Sequence, residues 1–386
     1  MSDLDFLVAA LSVGSLVSAC GYGLLAVLSI MVWRSRSPRI PSASLEPVSL
    51  LAPLCGMEPD LYLRLRSFCT QDYPCYEVVF GVQSHEDPAI LVVRRLMREF
   101  PRLKIKLVVE ATFHGANRKV SNLINMLSYA EHEFLVMADS DAHVAADYVA
   151  QVTAPLHRAR VGLVTCLSCG VPTPHVWSRL GAMYFNDWYV PSVLISWLFG
   201  HDGYSSGQTL CIRKSTLKAI GGLEAVANQL AEDYKLGELV RNLKLRIVMS
   251  PYVLQGEHHE PSFNSLLQHE LRWLRTIRVL RPRSYRWLFM SFSLPLGIAG
   301  FIGALHMGEP ASLAWVLLAV VIVTRILLHT LWRAHSRRSW LADLWLLPLR
   351  DLLMVAVWCC SFLSTRVVWR GNVFDVHSDG VMRSIP

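Results

Sequence analysis

Charge is scarce in this sequence. Asp, Glu, Lys and Arg supply only 17 % of the 386 residues, whereas apolar side chains supply 53 %, and the mean hydropathy is +0.34. A chain this oily is not an ordinary soluble domain of its size, so part of it sits in lipid. Internal repeats and low-complexity tracts are also missing. The nine cysteines are scattered; only Cys166 and Cys169 make a CxxC, and no second pair follows at zinc-finger spacing. No module of interleaved aromatic and basic residues accompanies the arginines, which excludes nucleic acid as a partner.

What is present begins with residues 6–33, which carry no charged side chain and exceed the roughly 20 residues that cross a hydrocarbon core. The acidic start, Asp3 and Asp5, argues for a retained anchor over a cleaved leader, whose first residues are basic. Arg34, Arg36 and Arg39 follow at once and place the downstream chain in the cytoplasm. Residues 288–307 and 311–332 read as a hairpin of two spans around Gly308-Glu309-Pro310, returned to the cytoplasm by Arg333, Arg337 and Arg338. A third stretch, 341–368, is interrupted by Pro348, Arg350 and Asp351 and reads as an interfacial helix followed by a span. Residues 180–199 are apolar too, but Asn186, Asp187 and Pro191 favour an interfacial segment. The arginine stripe Arg272, Arg275, Arg278, Arg281, Arg283 and Arg286 suits anionic headgroups or a phosphorylated substrate.

Between these segments, after a Pro/Ser-rich linker at 37–47, the pattern turns α/β. Strands are predicted at 48–54, 77–82, 105–109 and 134–138, alternating with helices at 61–69, 89–100 and 120–131. This alternation predicts a mostly parallel, Rossmann-like sheet covered on both faces, with ligands beyond the carboxyl ends of its strands. The organisation expected is therefore an anchor at 1–34, a cytoplasmic catalytic domain at 35–286, a transmembrane region at 287–370 and a tail at 371–386.

Three groups of residues carry chemistry. The apolar strand at 134–138 runs into Asp139-Ser140-Asp141, and two carboxylates so spaced can share a divalent cation that neutralises a diphosphate. Glu232-Asp233 opens a helical pattern after the Gly221-Gly222 turn, where a carboxylate can take a proton from an attacking hydroxyl. In His269-Glu270-Leu271-Arg272-Trp273, a guanidinium suited to phosphate oxygens stands beside an indole that can wall a substrate. The run Glu257-His258-His259-Glu260 offers zinc-type ligands, but consecutive positions seldom converge on one ion, and a packed loop is the expectation.

In this order the pieces resemble family 2-type GT-A glycosyltransferases. The segment 48–87, with LCGMEP at 54–59, QDYP at 71–74 and HEDPA at 85–89, resembles ceramide glucosyltransferases. RSFC at 66–69, VSNLINML at 120–127 and HELRW at 269–273 are most similar to the bacterial branch associated with hopanoid biosynthesis. The resemblance implies an inverting hexosyltransferase that moves a sugar from a UDP-sugar, UDP-N-acetylglucosamine, to the hydroxyl of a membrane lipid, a hopanoid such as bacteriohopanetetrol. Ceramide with UDP-glucose is the alternative. It implies donor contacts at Asp87, Lys119, Asp139, Arg272 and Trp273, a Mg or Mn ion on Asp139 and Asp141, and a general base at Asp233. Position 269 departs from the (Q/R)xxRW pattern: it is His269, with Gln268 just before it. The implied site is the inner membrane of a bacterium, with the catalytic domain cytoplasmic. A processive polysaccharide synthase and a non-catalytic lipid-binding membrane protein are the competing classes; the first needs more spans, and the second leaves the carboxylates without a task.

Overall fold

The computed structural model describes residues 3–36, 46–201, 204–306, 311–333, 341–369, 372–377 and 379–384. The turn Gly308-Glu309-Pro310, Arg39, Arg337, Arg338 and linker residues 37–45 lie outside them. The chain divides into two compact units. One takes its described residues from 37–168, 201–257 and 374–386, the other from 1–36, 169–200 and 258–373.

Most of an eight-stranded sheet lies in the first unit, with the last residues of its sixth and eighth strands assigned to the second. Its strands are β1 (Val48–Pro53), β2 (Tyr76–Val82), β3 (Lys104–Val109), β4 (Phe134–Ala138), β5 (Ala142–His143), β6 (Val161–Pro172), β7 (Thr209–Arg213) and β8 (Arg246–His258), in the order β3-β2-β1-β4-β7-β6-β8-β5. The helices between the first four are Leu61–Cys69, Ala89–Glu99 and Arg118–Leu127. Alternate strand residues feed opposite faces, as the two-residue period of a strand requires. Leu50, Val78, Phe80 and Val136 pack with Leu65, Phe68, Val93 and Leu96 on one side. Leu51, Val79, Leu135 and Met137 pack with Val120, Leu123 and Met126 on the other. Both faces are dry, which is why these strands read as unbroken apolar runs.

The expected parallel arrangement covers half the sheet. β1 runs parallel to both β2 and β4, and β2 parallel to β3. β7 then pairs antiparallel with β4 and with β6, and β5 antiparallel with β8, so the sheet is mixed. A parallel neighbour needs a crossover helix returning to the same edge. The chain after β4 instead supplies strands that enter β4's free edge from the opposite direction.

In the second unit, helix Asp3–Arg34 packs along Ser293–His306 and Ala311–Arg333. The helices approach closely through small residues: a Cβ on Gly300 would lie 2.6 Å from the Ser12 carbonyl oxygen, so only glycine permits this spacing. Three described helices are long and apolar enough to cross a membrane, at Asp5–Arg34, Ser312–Arg333 and Leu344–Ser361. A fourth arises if Pro282–Ser291 and Ser293–His306, bent by 62°, are one broken span.

The stretch expected at the interface folds as helix Val176–Tyr184, a π turn Phe185–Tyr189 and helix Val190–Leu198. Its polar residues are paired inside the unit. Asn186 exchanges two 2.8 Å hydrogen bonds with the main chain of Gly170, and Asp187 accepts from Arg325 and His329. Likewise Pro348 sits in the first turn of Leu347–Ser361, where its missing N–H costs nothing. The arginine stripe is partly spent on main chain: Arg275 donates to the Arg366 carbonyl, and Arg278 to those of Phe362 and Ser364. These carbonyls follow the end of that helix, where cations are favoured.

Candidate active site

The site of the first unit forms where β4 ends and helix Glu232–Asn242 begins. β4 delivers Asp139-Ser140-Asp141 beyond its carboxyl end. Helix Arg118–Leu127, capped by Asn117 through the Val120 amide, carries Lys119 in its first turn. The Lys119 ammonium lies 2.6 Å from Asp139 Oδ1 and 3.1 Å from Glu232 Oε1. It also donates to the Gly207 carbonyl at 3.2 Å. The Gly207 amide donates to Asp233 Oδ2 at 2.7 Å, and the Tyr234 amide to Oδ1 at 2.7 Å. One peptide segment thus ties the lysine and the aspartate together. Asn117 adds a 3.2 Å bond to Glu232 Oε2.

A side chain at 207 would crowd this cluster. A Cβ there would stand 3.2 Å from Lys119 Nζ, 3.4 Å from Asp233 Oδ2 and 3.5 Å from Glu232 Oε1. The loop ahead of Glu232 is fixed by the C-terminal strand region: Leu230 donates to the Gly380 carbonyl, and Met382 to that of Asn228.

Electrostatics divide the acids. Burial, and then Glu232, push the Asp233 carboxyl up to about 7, against the pull of two amides and Lys119. Burial also raises Asp141, with Asp139 and Glu58 next, and its Oδ1 is buried without a hydrogen-bond partner among the described residues. Burial opposes the charge on Lys119, but Asp139 and Glu232 outweigh it and hold the ammonium protonated. Ser140 donates to Glu58 at 3.0 Å. Asp87 is held separately by main chain, accepting from Gly56 at 2.9 and 3.1 Å and from Ala89 at 2.9 Å.

Of the residues singled out in the sequence, the contacts gather Lys119, Asp139 and Asp233 around Gly207, with Asp141 on the same strand end. Arg272 and Trp273 belong to the other unit, on helix Phe263–Leu280. There Trp273 stacks on Tyr184, with centroids 5.2 Å apart and planes at 24°, and meets the His269 ring at 4.4 Å. His269 is fixed by Glu260 at 2.6 Å. Glu257 pairs with Arg64, and the half-buried His258 has its pKa pushed down to about 4 by desolvation and then by His269. The two carboxylates of the run 257–260 are thus taken up by separate partners, Arg64 and His269. Among the described residues no group of three or more His, Cys, Asp and Glu is arranged to hold a metal. Sequence reasoning missed Gly207, Asn117 and Glu58; only their hydrogen bonds mark them.

The mixed sheet, with carboxylates at the end of β4 and at a helix start, is a GT-A-like glycosyltransferase fold. It is shared with the mannosyltransferase PcManGT from Pyrobaculum calidifontis, solved in complex with GDP-Man and Mn2+, at a TM-score of 0.56 and 18 % identity over 92 % of this chain and 99 % of that one. The description of Glycosyl transferase family 21 matches residues 12–382, and the chain belongs to that family. It is similar to ceramide glucosyltransferase 3 of Caenorhabditis elegans, 24 % identical over 364 residues, 88 % of this chain and 74 % of that protein. Ceramide glucosyltransferase of Komagataella phaffii is 28 % identical over 142 residues, 36 % of this chain and 28 % of that protein. The chain is a glycosyltransferase of family 21.

Proposed function

We propose that this enzyme is an inverting glycosyltransferase that moves N-acetylglucosamine from its UDP derivative to a hydroxyl of a polyhydroxylated hopanoid such as bacteriohopanetetrol. The observation that carries the mechanism is Asp233, pinned by the Gly207 and Tyr234 amides, with its carboxyl pKa pushed up to about 7. A carboxylate poised there takes the proton of the acceptor hydroxyl as the oxygen attacks the anomeric carbon, the UDP leaves and the configuration inverts.

A divalent cation fits the strand end. The unpartnered Oδ1 of Asp141 and the crowding of Asp141 by Asp139 and Glu58 are features that a cation relieves. Two carboxylates completed by substrate oxygens suit Mg or Mn. Held by Asp139 and Asp141, it supplies positive charge to the leaving diphosphate. Lys119 adds a fixed ammonium beside Asp139, Asp87 holds the loop at Gly56 for the nucleotide, and Arg272 and Trp273 serve the diphosphate and the acceptor. The arginines that follow the first helix favour a cytoplasmic catalytic unit at a bacterial inner membrane.

Ceramide with UDP-glucose is the second reading, favoured by the names of the C. elegans and K. phaffii relatives. Mass spectrometry of lipids after incubation of the detergent-solubilised enzyme with Mn and each donor and acceptor pair tests both. A hexosamine-bearing hopanoid that disappears in Asp233→Asn supports the first; a glucosylated ceramide keeps the mechanism and replaces donor and acceptor. No product from any pair overturns the proposal.

A further inference from the structure

Three candidate spans follow β8 among the described residues: the bent pair Pro282–Ser291 and Ser293–His306, then Ser312–Arg333, then Leu344–Ser361. Three crossings would leave the C-terminal tail on the membrane face opposite the catalytic strands. Yet the described residues from Phe374 onward belong to the same compact unit as those strands.

The tail is bonded there in the manner of a strand. Val381 pairs antiparallel with Gln229. The Leu230 amide donates to the Gly380 carbonyl at 3.1 Å, and the Met382 amide to the Asn228 carbonyl at 2.9 Å. Strand Met382–Ser384 is itself paired with Asn372–Val376, whose Phe374 and Val376 are buried. The loop so held also meets the turn ahead of Lys119: the Asn117 amide donates to the Ala227 carbonyl at 2.8 Å, the Ala116 amide to Asn228 Oδ1 at 2.9 Å, and the Asn117 side chain to the Gln229 carbonyl at 2.9 Å. Two residues further on, that loop becomes the helix of Glu232 and Asp233.

Helix Leu344–Ser361 removes the conflict, because it is tied at both ends to elements on the catalytic side. Ahead of its start, Asp343 pairs with Arg333 at 2.6 Å and with Arg179. Arg333 ends the preceding span, and Arg34, the last residue of the first helix before the chain leads on to β1, donates to the Leu331 carbonyl at 3.2 Å. Arg179 stands on Val176–Tyr184, which no candidate span separates from β6 or β7. Beyond the helix, Arg278 donates to the Phe362 and Ser364 carbonyls and Arg275 to that of Arg366. Both arginines lie on Phe263–Leu280, which follows β8 with no span between them. In the middle, Arg350 is bonded to Glu270 of that same helix. Charges within an apolar helix are costly at the centre of a bilayer and ordinary at its surface.

We infer that Leu344–Ser361 does not cross the membrane, and that the tail it returns to the catalytic side is a positioning strap, holding loop 227–230 and through it the start of the helix that carries Glu232 and Asp233. The chain then crosses three times, at the first helix and at the two helices of the hairpin. The inference rests on reading Asp233 as the base, which gives the strap something to position.

Reporter fusions in a bacterial host test the path of the chain. Green fluorescent protein lights only in the cytoplasm, and alkaline phosphatase is active only outside it. Fused after Arg39 they mark the catalytic side; fusions after Trp340 and after Pro386 are expected to match that one. Either of the two on the opposite face overturns the inference. Hydrogen exchange of the purified full chain in detergent, compared with a chain ending at His377, tests the strap. Loss of protection confined to 227–233 is expected, with kcat lowered about tenfold or more and donor KM unchanged. Unchanged protection there overturns the strap, and so does a loss that spreads through β1–β4, since the tail would then support the fold of the unit and not its loop. Exchange and reporters need no transfer, so the two readings fail separately. Confined loss with no transfer by the wild type defeats the proposed function alone; full transfer by the shortened chain defeats this inference alone.

Discussion

Lys119 and Asp139 form a 2.6 Å ion pair at the strand end where the cation is proposed to bind. The same ammonium reaches Glu232, so it holds two carboxylates that otherwise repel. A metal on Asp139 therefore shares that carboxylate with a resident positive charge, and the two ought to substitute for each other in part. Lys119→Met is expected to lower the Tm by a few degrees, and Mn is expected to raise the Tm of the variant more than that of the wild type. Differential scanning fluorimetry with and without Mn measures this. Equal Mn shifts in both proteins would separate Lys119 from the metal.

Asp233 gives the reaction its pH dependence. Its folded pKa, about 7, is above the ordinary 3.8 of an aspartate, so the folded state favours the protonated carboxyl. Its contribution to stability is present below about 4 and is lost as pH rises toward 7. The base is competent only when ionised, so kcat/KM rises through about pH 7 and then levels. Glu232 on its own helix and Lys119 on the neighbouring one are the charges that face it. Asp233→Asn keeps an acceptor for the Gly207 amide, removes the stability slope and lowers kcat by about 10² to 10⁴. An activity profile flat from pH 5 to 8 contradicts the assignment.

The legible part of this protein is the part whose pattern is local. Residues 48–138 alternate strand and helix in the sequence because buried strands need apolar runs and amphipathic helices need spaced ones, and the elements form where those runs lie. Asp139 and Asp141 stand out because a buried strand runs into them, and Asp233 because it opens a helical pattern. Glu270 was seen only as the second letter of a motif, yet it is fully buried against Arg350, 80 residues away. In the sequence Asp187 reads as a reason to place its segment at an interface, and nothing there points to its partner Arg325, 138 residues on. Long-range pairing leaves no periodic trace, and neither does a glycine such as Gly207 whose function is to have no side chain.

Gly207→Ala tests the crowding directly. The new methyl stands 3.2 Å from Lys119 Nζ and displaces the ammonium or Asp233 by a few tenths of an ångström. Misplacement of that order at a reacting group is expected to reduce kcat/KM about tenfold or more, with little change in Tm. Steady-state kinetics on the purified variant decides it; unchanged kcat/KM would show that the peptide at 207 does not position Asp233.

The Glu270–Arg350 pair makes the last prediction, and it concerns stability. Both side chains are buried, and Glu270 receives two hydrogen bonds from the guanidinium, at 2.5 and 2.8 Å. Removing one partner strands the other charge in an apolar unit, so Glu270→Ala should cost about 3–5 kcal/mol, seen as a large fall in Tm in detergent. Replacing both, as in Glu270→Leu with Arg350→Met, removes the stranded charge and should recover most of that loss. A double variant as unstable as the sum of its single ones would mean that the two residues act independently, with Arg350 then held chiefly by the Leu180 carbonyl, to which it also donates.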